Sequence, residues 1–356
     1  MKKNIVALAV ASAIAAPVAM ADAPTVYGQI NMAAEQYDVK DVNGDKNKSA
    51  SGAQVNSRAS RIGVKGSNDL GNGLKAVYKV EFEVQIDGKD TLKNRNQYVG
   101  LAGGFGTVLM GRHDTPLKMI QPKDMFNDAK LSDNKPMAGG LGYNAAGGEV
   151  RASNVLAYVS PSFGGVKLVG AVIPKETGGD SDKESSFTDA ISVAAMYGSK
   201  KKGLYLAAAY NTFDKAFGAG NNLDGNTTGG SGAVDELRVT AQYTIAGLIA
   251  NVMYQDFSGK GLKNTTEKGT NIQANVGYKI GDFMPKVKVS QVDRDKDAAG
   301  NKYKDSTNYA LGLDYSLGKK TKVYAEYAYL EHQGVSLDYA DKKEANAFSI
   351  GMLHKF

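Results

Sequence analysis

The sequence predicts an all-β fold, a 16-stranded antiparallel transmembrane β-barrel with long extracellular loops. Three observations predict it. Short stretches alternate apolar and polar residues with a period of two. Tight turns and longer polar connections take turns along the chain. Tyrosines recur at fixed heights on the apolar face of the predicted strands.

Residues 1–21 read as an export signal. Lys2 and Lys3 supply its positive start, Ile5 to Ala16 a short apolar core, and Ala19-Met20-Ala21 a small-x-small cleavage site. The run is too short for a membrane-spanning helix, contains Pro17, and meets Asp22 with no stop-transfer charge cluster. The barrel is expected over residues 22–356, and loss of Lys2 and Lys3 lowers the formal charge from +6 to +4. With no cysteine, an exported chain of this length relies on a hydrogen-bonded scaffold instead of disulfides. The basic balance does not point to nucleic acid, because no basic cluster is interleaved with aromatics. The longest basic run, Lys200-Lys201-Lys202, falls in a turn and reads as a solvated tip. After the leader, no window reaches ~18 consecutive apolar residues, so no membrane helix is expected. Abundant glycine (42) and tyrosine (19) with no tryptophan suit a sheet protein.

The first strand, Val26–Tyr37, places Val26, Gly28, Ile30, Met32 and Ala34 on one face and Tyr27, Gln29, Asn31, Ala33 and Glu35 on the other. Asp38 to Asn56, rich in Gly, Asn, Lys and Ser, reads as a loop. The second strand, about Arg58–Gly66, puts Ile62 and Val64 opposite Arg61 and Lys65. The third, Gly73–Gln85, has the cleanest alternation, Leu74 to Val84 against Lys75, Lys79, Glu81 and Glu83. A loop at 87–93 leads to the fourth strand, about Arg95–Ala102, and Gly103-Gly104 turns into the fifth, Gly106–Arg112.

The long interruption from Asp114 to Gly148 follows, with three prolines, five glycines and no sustained period. Loops longer than ~12–15 residues are uncommon in compact domains and tend to be functional or disordered. The remaining strands are Arg151–Ser160, Val166–Ile173, Phe187–Tyr197, Leu204–Asn211, Asp235–Tyr243, Leu248–Gln255, Thr270–Ile280, Lys286–Val292, Thr307–Tyr315, Thr321–Leu330 and Ala345–Phe356. Each pair after the interruption is joined by a short turn, such as Gly281–Pro285, and separated from the next pair by a polar loop.

Seven tight connections and eight mostly longer ones give short turns at one rim and long loops at the other, as in a bacterial outer-membrane barrel. Tyr197, Tyr243, Tyr278 and Tyr315 stand where strands enter tight turns, while Tyr210, Tyr254, Tyr327 and Tyr329 form a second row farther out. Such rows mark both lipid–water interfaces. The opposite face carries Lys79, Glu81, Arg238, Gln242, Asn271, Gln273, Lys286 and Lys288, so the enclosed space is expected to be wet. Closure leaves no unpaired sheet edge in lipid.

Several stretches resemble the Gram-negative trimeric general porin family, in its neisserial and β-proteobacterial branch. They include Val26-Tyr27-Gly28, the run Ser60 to Gly66, Asp69 to Ala76, Asn94 to Leu101, Gly104 to Val108, Met110-Gly111-Arg112, Arg151 to Asn154 with Ser160-Pro161, and the ending His354-Lys355-Phe356. The resemblance implies a homotrimer in outer-membrane lipid and lipopolysaccharide, with a third loop (114–148) folded into the lumen as a constriction. It implies passive passage of small hydrophilic solutes and ions, and recognition of Phe356 by the outer-membrane insertion machinery. It places Arg61, Arg95 and Arg151 at the constriction, with Arg112 a further candidate.

The expected mechanism is a field across a wet neck. Those arginines, with Lys75 and Lys79, would face carboxylates from Asp114, Asp124, Asp128 and Asp133, among which lie Lys118, Lys123 and Lys130. Rings of charge select the opposite ion, so a mild anion preference is expected, reduced by Glu81 and Glu83. No cofactor is implied. Three scattered histidines without cysteine offer no metal spacing. His113 and Asp114, adjacent on an extended chain, point apart and make a poor catalytic pair. A substrate-selective channel, or an adhesin working through its loops at 38–56 and 212–234, is the alternative reading.

Overall fold

The computed structural model describes residues 23–41, 50–88, 92–129, 131–132, 134, 150–174, 186–213, 234–260, 266–295, 305–333 and 342–356. The expected leader at 1–21, together with Lys130, Asp133 and residues 135–149, lies outside the described residues.

Seventeen strand segments follow in order: β1 (Thr25–Asp41), β2 (Ala50–Ser57), β3 (Arg61–Gly71), β4 (Leu74–Val84), β5 (Leu92–Gly103), β6 (Gly106–Asp114), β7 (Arg151–Val159), β8 (Val166–Ile173), β9 (Ala190–Gly198), β10 (Gly203–Phe213), β11 (Val234–Ile245), β12 (Leu248–Lys260), β13 (Thr266–Tyr278), β14 (Phe283–Arg294), β15 (Ser306–Ser316), β16 (Thr321–Gln333) and β17 (Lys342–Lys355). Chain neighbours pair antiparallel, and β17 returns to β1 with Gln29 opposite Lys355 and Asp41 opposite Lys343. The sheet is therefore closed. β2 pairs with Met32–Val39 of β1 and β3 with Thr25–Gln29 of the same strand, so these two segments are one stave interrupted at Arg58–Ser60. Counted as staves, the barrel has sixteen strands.

The interruption corrects the expected loop over 38–56. β1 continues to Asp41 and pairing resumes at Ala50. Ala50–Ser57 has low strand propensity, but the outer half of β1 needs a partner for its backbone groups, and this demand overrides local preference. At the break Ala59 has φ +49°, Arg58 N donates to Asn31 O (2.8 Å), and Val84 N donates to Ser60 O (2.8 Å). These two bonds tie the stepped backbone to β1 on one side and β4 on the other. β13 also begins earlier than expected, at Thr266, and β9 later, at Ala190.

The two faces are inverted relative to a water-soluble sheet. On β14, Val287 and Val289 are 48% and 44% exposed, while Lys286 and Lys288 are 2% and 3% exposed. The same alternation places Tyr197, Tyr243, Tyr278 and Tyr315 on the exposed outer face. An apolar outer surface and a polar interior are what a barrel in lipid requires.

After β6, Thr115 caps a short helix, α1 (Pro116–Met119), its hydroxyl accepting from Lys118 N at 3.3 Å. Pro116 occupies the first turn, where its missing N–H costs nothing. No period in the sequence announces this single turn. Leu117 and Ile120 are buried against Val169, Ala194, Tyr205 and Ala207 on β8, β9 and β10. Met125, Phe126 and Ala129 form a second cluster with Ala310 and Ala328 on β15 and β16.

Candidate channel site

The candidate cations lie on neighbouring strands. Arg61 begins β3, Arg95 is on β5, Arg112 on β6, and Arg151 begins β7. Arg95 is held by Glu81 (2.6 Å) and Glu83 (3.0 Å), and Lys79 also reaches Glu81 (3.2 Å). Arg151 pairs with Asp114 (3.0 Å) and donates to the Asn96 side chain (2.9 Å). Arg112 donates to Ser153 Oγ (2.7 Å). Arg61 alone of the four has no ion pair or side-chain hydrogen bond among the described residues. Lys75 is exposed near the start of β4, opposite Asp69.

The candidate acids separate. Asp114 ends β6 beside the arginines, bridging Arg151 and Lys118 (3.4 Å). Asp124 and Asp128 belong to the segment beyond α1. Asp124 accepts from Phe126 N (2.9 Å) and Asp128 N (3.0 Å), closing a turn in which Asn127 and Asp128 both adopt left-handed φ, +56° and +58°. Asp128 keeps exposed surface, yet protein surrounds it on several sides. Loss of hydration there and the neighbouring Asp124 push its carboxyl up to about 6, against the pull of Arg61 and Arg95.

Inward side chains from much of the circumference hold this segment. Ser192 of β9 accepts from Leu117 N (3.2 Å), and Arg238 of β11 donates to Leu117 O (3.2 Å). Gln242 accepts from Lys123 N (2.9 Å), while Asn251 of β12 donates to Lys123 O (3.3 Å). Lys288 donates to Ser132 O (3.0 Å), and Asn308 of β15 donates to Leu131 O (2.8 Å).

These features meet in a closed, lipid-compatible barrel whose sequence matches one family model, described as Gram-negative porin, over residues 7–334. The chain belongs to the Gram-negative porin family. It is an outer-membrane β-barrel channel. It is 28% identical over 373 residues to a major outer membrane protein P.IB of Neisseria gonorrhoeae, with all of both chains covered. A P.IB protein of Neisseria lactamica is 27% identical over 364 residues, again over both full lengths. Among solved structures, an anion-selective porin from Comamonas acidovorans superposes with a TM-score of 0.73 at 22% identity, covering 94% of this chain and 100% of that one.

Two features of this porin escape the sequence reading. Lys200 is not a solvated tip. Its ammonium turns inward and donates to Met119 O (2.8 Å) and Gln121 O (2.5 Å), above the Tyr205 ring at 5.1 Å. The second feature is a buried charge network beneath the turn at 124–128. Glu326 accepts from Arg58 (2.8 Å), Lys286 (2.8 Å) and the Asn127 amide (2.6 Å). Asp314 accepts from Lys286 (2.5 Å) and Lys322 (2.6 Å), Glu35 pairs with Arg58, and Lys286 also donates to Met125 O (2.5 Å). The pairing of Arg58 and Lys286 carried no recognisable signal, because their partners are remote in the chain: Arg58 and Glu326 are 268 residues apart.

Proposed function

We propose that this porin is a general diffusion channel for small hydrophilic solutes and ions, with a mild preference for anions. In this reading residues 114–148 are the third extracellular loop, folded into the lumen to narrow it. Arg61, Arg95, Arg112 and Arg151, with Lys75 and Lys79, form a cationic wall opposite Asp124 and Asp128. The observation that carries the preference is Arg61, which lacks an ion-pair partner among the described residues and bears on the Asp128 carboxyl. Arg95, Arg151 and Lys79 are each offset by an acid, which keeps the preference mild. Arginine stays charged at any working pH, so the wall does not titrate away. The solved relative from Comamonas acidovorans, itself described as anion-selective, supports the same sign.

The functional unit is a homotrimer in lipid and lipopolysaccharide, exported by a cleaved leader at residues 1–21 and inserted by machinery that recognises Phe356. Liposome swelling tests the diffusion reading. Vesicles carrying the protein should swell in small uncharged sugars at rates that fall with solute size. Swelling for one sugar only, independent of size, would favour the substrate-selective alternative. No swelling with folded protein would favour an adhesin.

A further inference from the structure

Three aromatic rings stand on the inner face among the cations. Tyr27 of β1 lies across Gly63 of β3, where a Cβ would come within 2.7 Å of its Cζ. Its ring is approached by Lys65 Nζ at 5.1 Å and Lys79 Nζ at 5.7 Å, and its hydroxyl donates to Glu81 (2.7 Å). Lys79 stands directly opposite Tyr98 in the β4–β5 register. The Tyr98 ring in turn lies 5.2 Å from that of His113 on β6, tilted by 58°. Tyr98 faces inward because the next residue, Val99, and Leu101 two beyond it point to lipid, 54% and 49% exposed. Tyr27, Tyr98 and His113 are all only half-buried, so each keeps surface open to a solute.

Rings and ammonium groups therefore alternate around the wall: Tyr27, then Lys65 and Lys79, then Tyr98 and His113. Arg61 shares this wall, next to Gly63's neighbour Ile62 on β3 and paired in register with Gln29 and Glu83. Two acids stand along the strip and both are engaged: Glu81 by Arg95, Lys79 and the Tyr27 hydroxyl, and Glu83, opposite Arg61, by Arg95. A strip of this composition offers a planar anion two contacts at once. A ring can pack on Tyr98 and His113 in offset or edge-to-face geometry, and its acid group can lie against Lys79 or Arg61. A saturated ring of similar size satisfies only the charge.

We propose that this strip recognises small planar aromatic anions, a single ring bearing a carboxylate or sulfonate, and favours their passage over saturated anions of equal charge and size. The proposal rests on the reading of the chain as an anion-preferring channel. Zero-current potentials in planar bilayers, with benzenesulfonate or cyclohexanesulfonate replacing chloride on one side, test it. Both probes are permanently charged, so leakage through lipid does not confuse them. Benzenesulfonate should be the more permeant by about two- to tenfold, the range an aromatic contact provides. Tyr98→Leu should bring the ratio close to one and Tyr98→Phe should retain it. Equal permeabilities in the unmodified porin, with chloride still preferred over potassium, overturn the aromatic strip alone. A porin that does not prefer chloride over potassium overturns the strip together with the reading beneath it. Because the unmodified protein decides the matter, a variant that fails to fold does not shield the proposal.

Discussion

Gly28 and Phe356 close the barrel. Gly28 N donates to Phe356 O and Phe356 N donates to Gly28 O, both at 3.2 Å, joining the first strand to the last residue. The Phe356 ring lies over the Gly28 backbone, where any Cβ would overlap it. A methyl group here must displace the ring or part the two strands. Gly28→Ala should therefore destabilise the folded barrel by ~1–3 kcal/mol, the usual cost of overpacking. Urea unfolding followed by the gel shift between folded and heat-denatured forms would measure it. A variant as stable as the parent would mean that the ring moves aside freely.

In the proposed channel, Asp128 should make ion preference depend on pH. Its carboxyl titrates near pH 6, raised by dehydration and by Asp124, and opposed by Arg61 and Arg95. Above that pH it is an anion set against the arginines; as pH falls through about 6 it takes up a proton and one negative charge disappears. Anion preference should rise on acidification from pH 7 to pH 5, and Asp128→Asn should show the acidic behaviour at both pH values. The sign for stability is the same. A carboxyl whose folded pKa lies above its unfolded value binds a proton more readily when folded, so its contribution improves as pH falls from about 6 toward 4.

Glu326 fastens the turn at 124–128 to the wall. It is 3% exposed and accepts from Arg58, Lys286 and Asn127. Glu326→Ala leaves two buried cations short of a partner, and removing one side of such a pair typically costs ~3–5 kcal/mol. The expected outcome is a large fall in the urea midpoint and noisier open-channel current, since Asn127 loses its shortest hydrogen bond to the wall. Glu326→Gln, which keeps the shape and an acceptor, should cost less.

Lys200 ties the turn between β9 and β10 to the end of α1. Lys200→Ala removes the ammonium that satisfies Met119 O and Gln121 O, and hydrogen bonds from charged groups are worth ~1.5–3 kcal/mol. Limited proteolysis should cleave the segment 118–130 faster in this variant while the barrel strands stay resistant. Equal cleavage would show that the segment's other contacts hold it without Lys200.

The barrel was legible because its rule is local. A period of two with Val287 and Val289 out and Lys286 and Lys288 in can be read from four consecutive residues, and a turn near Gly281 needs no partner to be recognised, although Phe283, Met284 and Pro285, expected in that turn, belong to β14. The break at Arg58–Ser60 was not legible, since Ala50–Ser57 is a strand only because β1 lies beside it. The buried network was invisible for a related reason. Asn127 and Glu326, 199 residues apart, meet only after the sheet has closed. Lys200 misled because a basic run in a turn is ordinarily solvated, and nothing nearby in the chain announces the carbonyls of 119 and 121. Arg61 and Arg95 were equally easy to single out, yet only the folded chain reveals that Glu81 and Glu83 both offset Arg95, while Arg61 has no ion pair among the described residues.

The zero-current potential of the purified porin in a planar bilayer under a potassium chloride gradient tests the central claim most directly. An arginine wall in which Arg61 has no ion pair among the described residues predicts a potential whose sign reports chloride as the more permeant ion, reduced in Arg61→Ala more than in Arg95→Ala. A cation-preferring sign, or a potential that stays the same in Arg61→Ala, Arg95→Ala and Arg151→Ala alike, would contradict it.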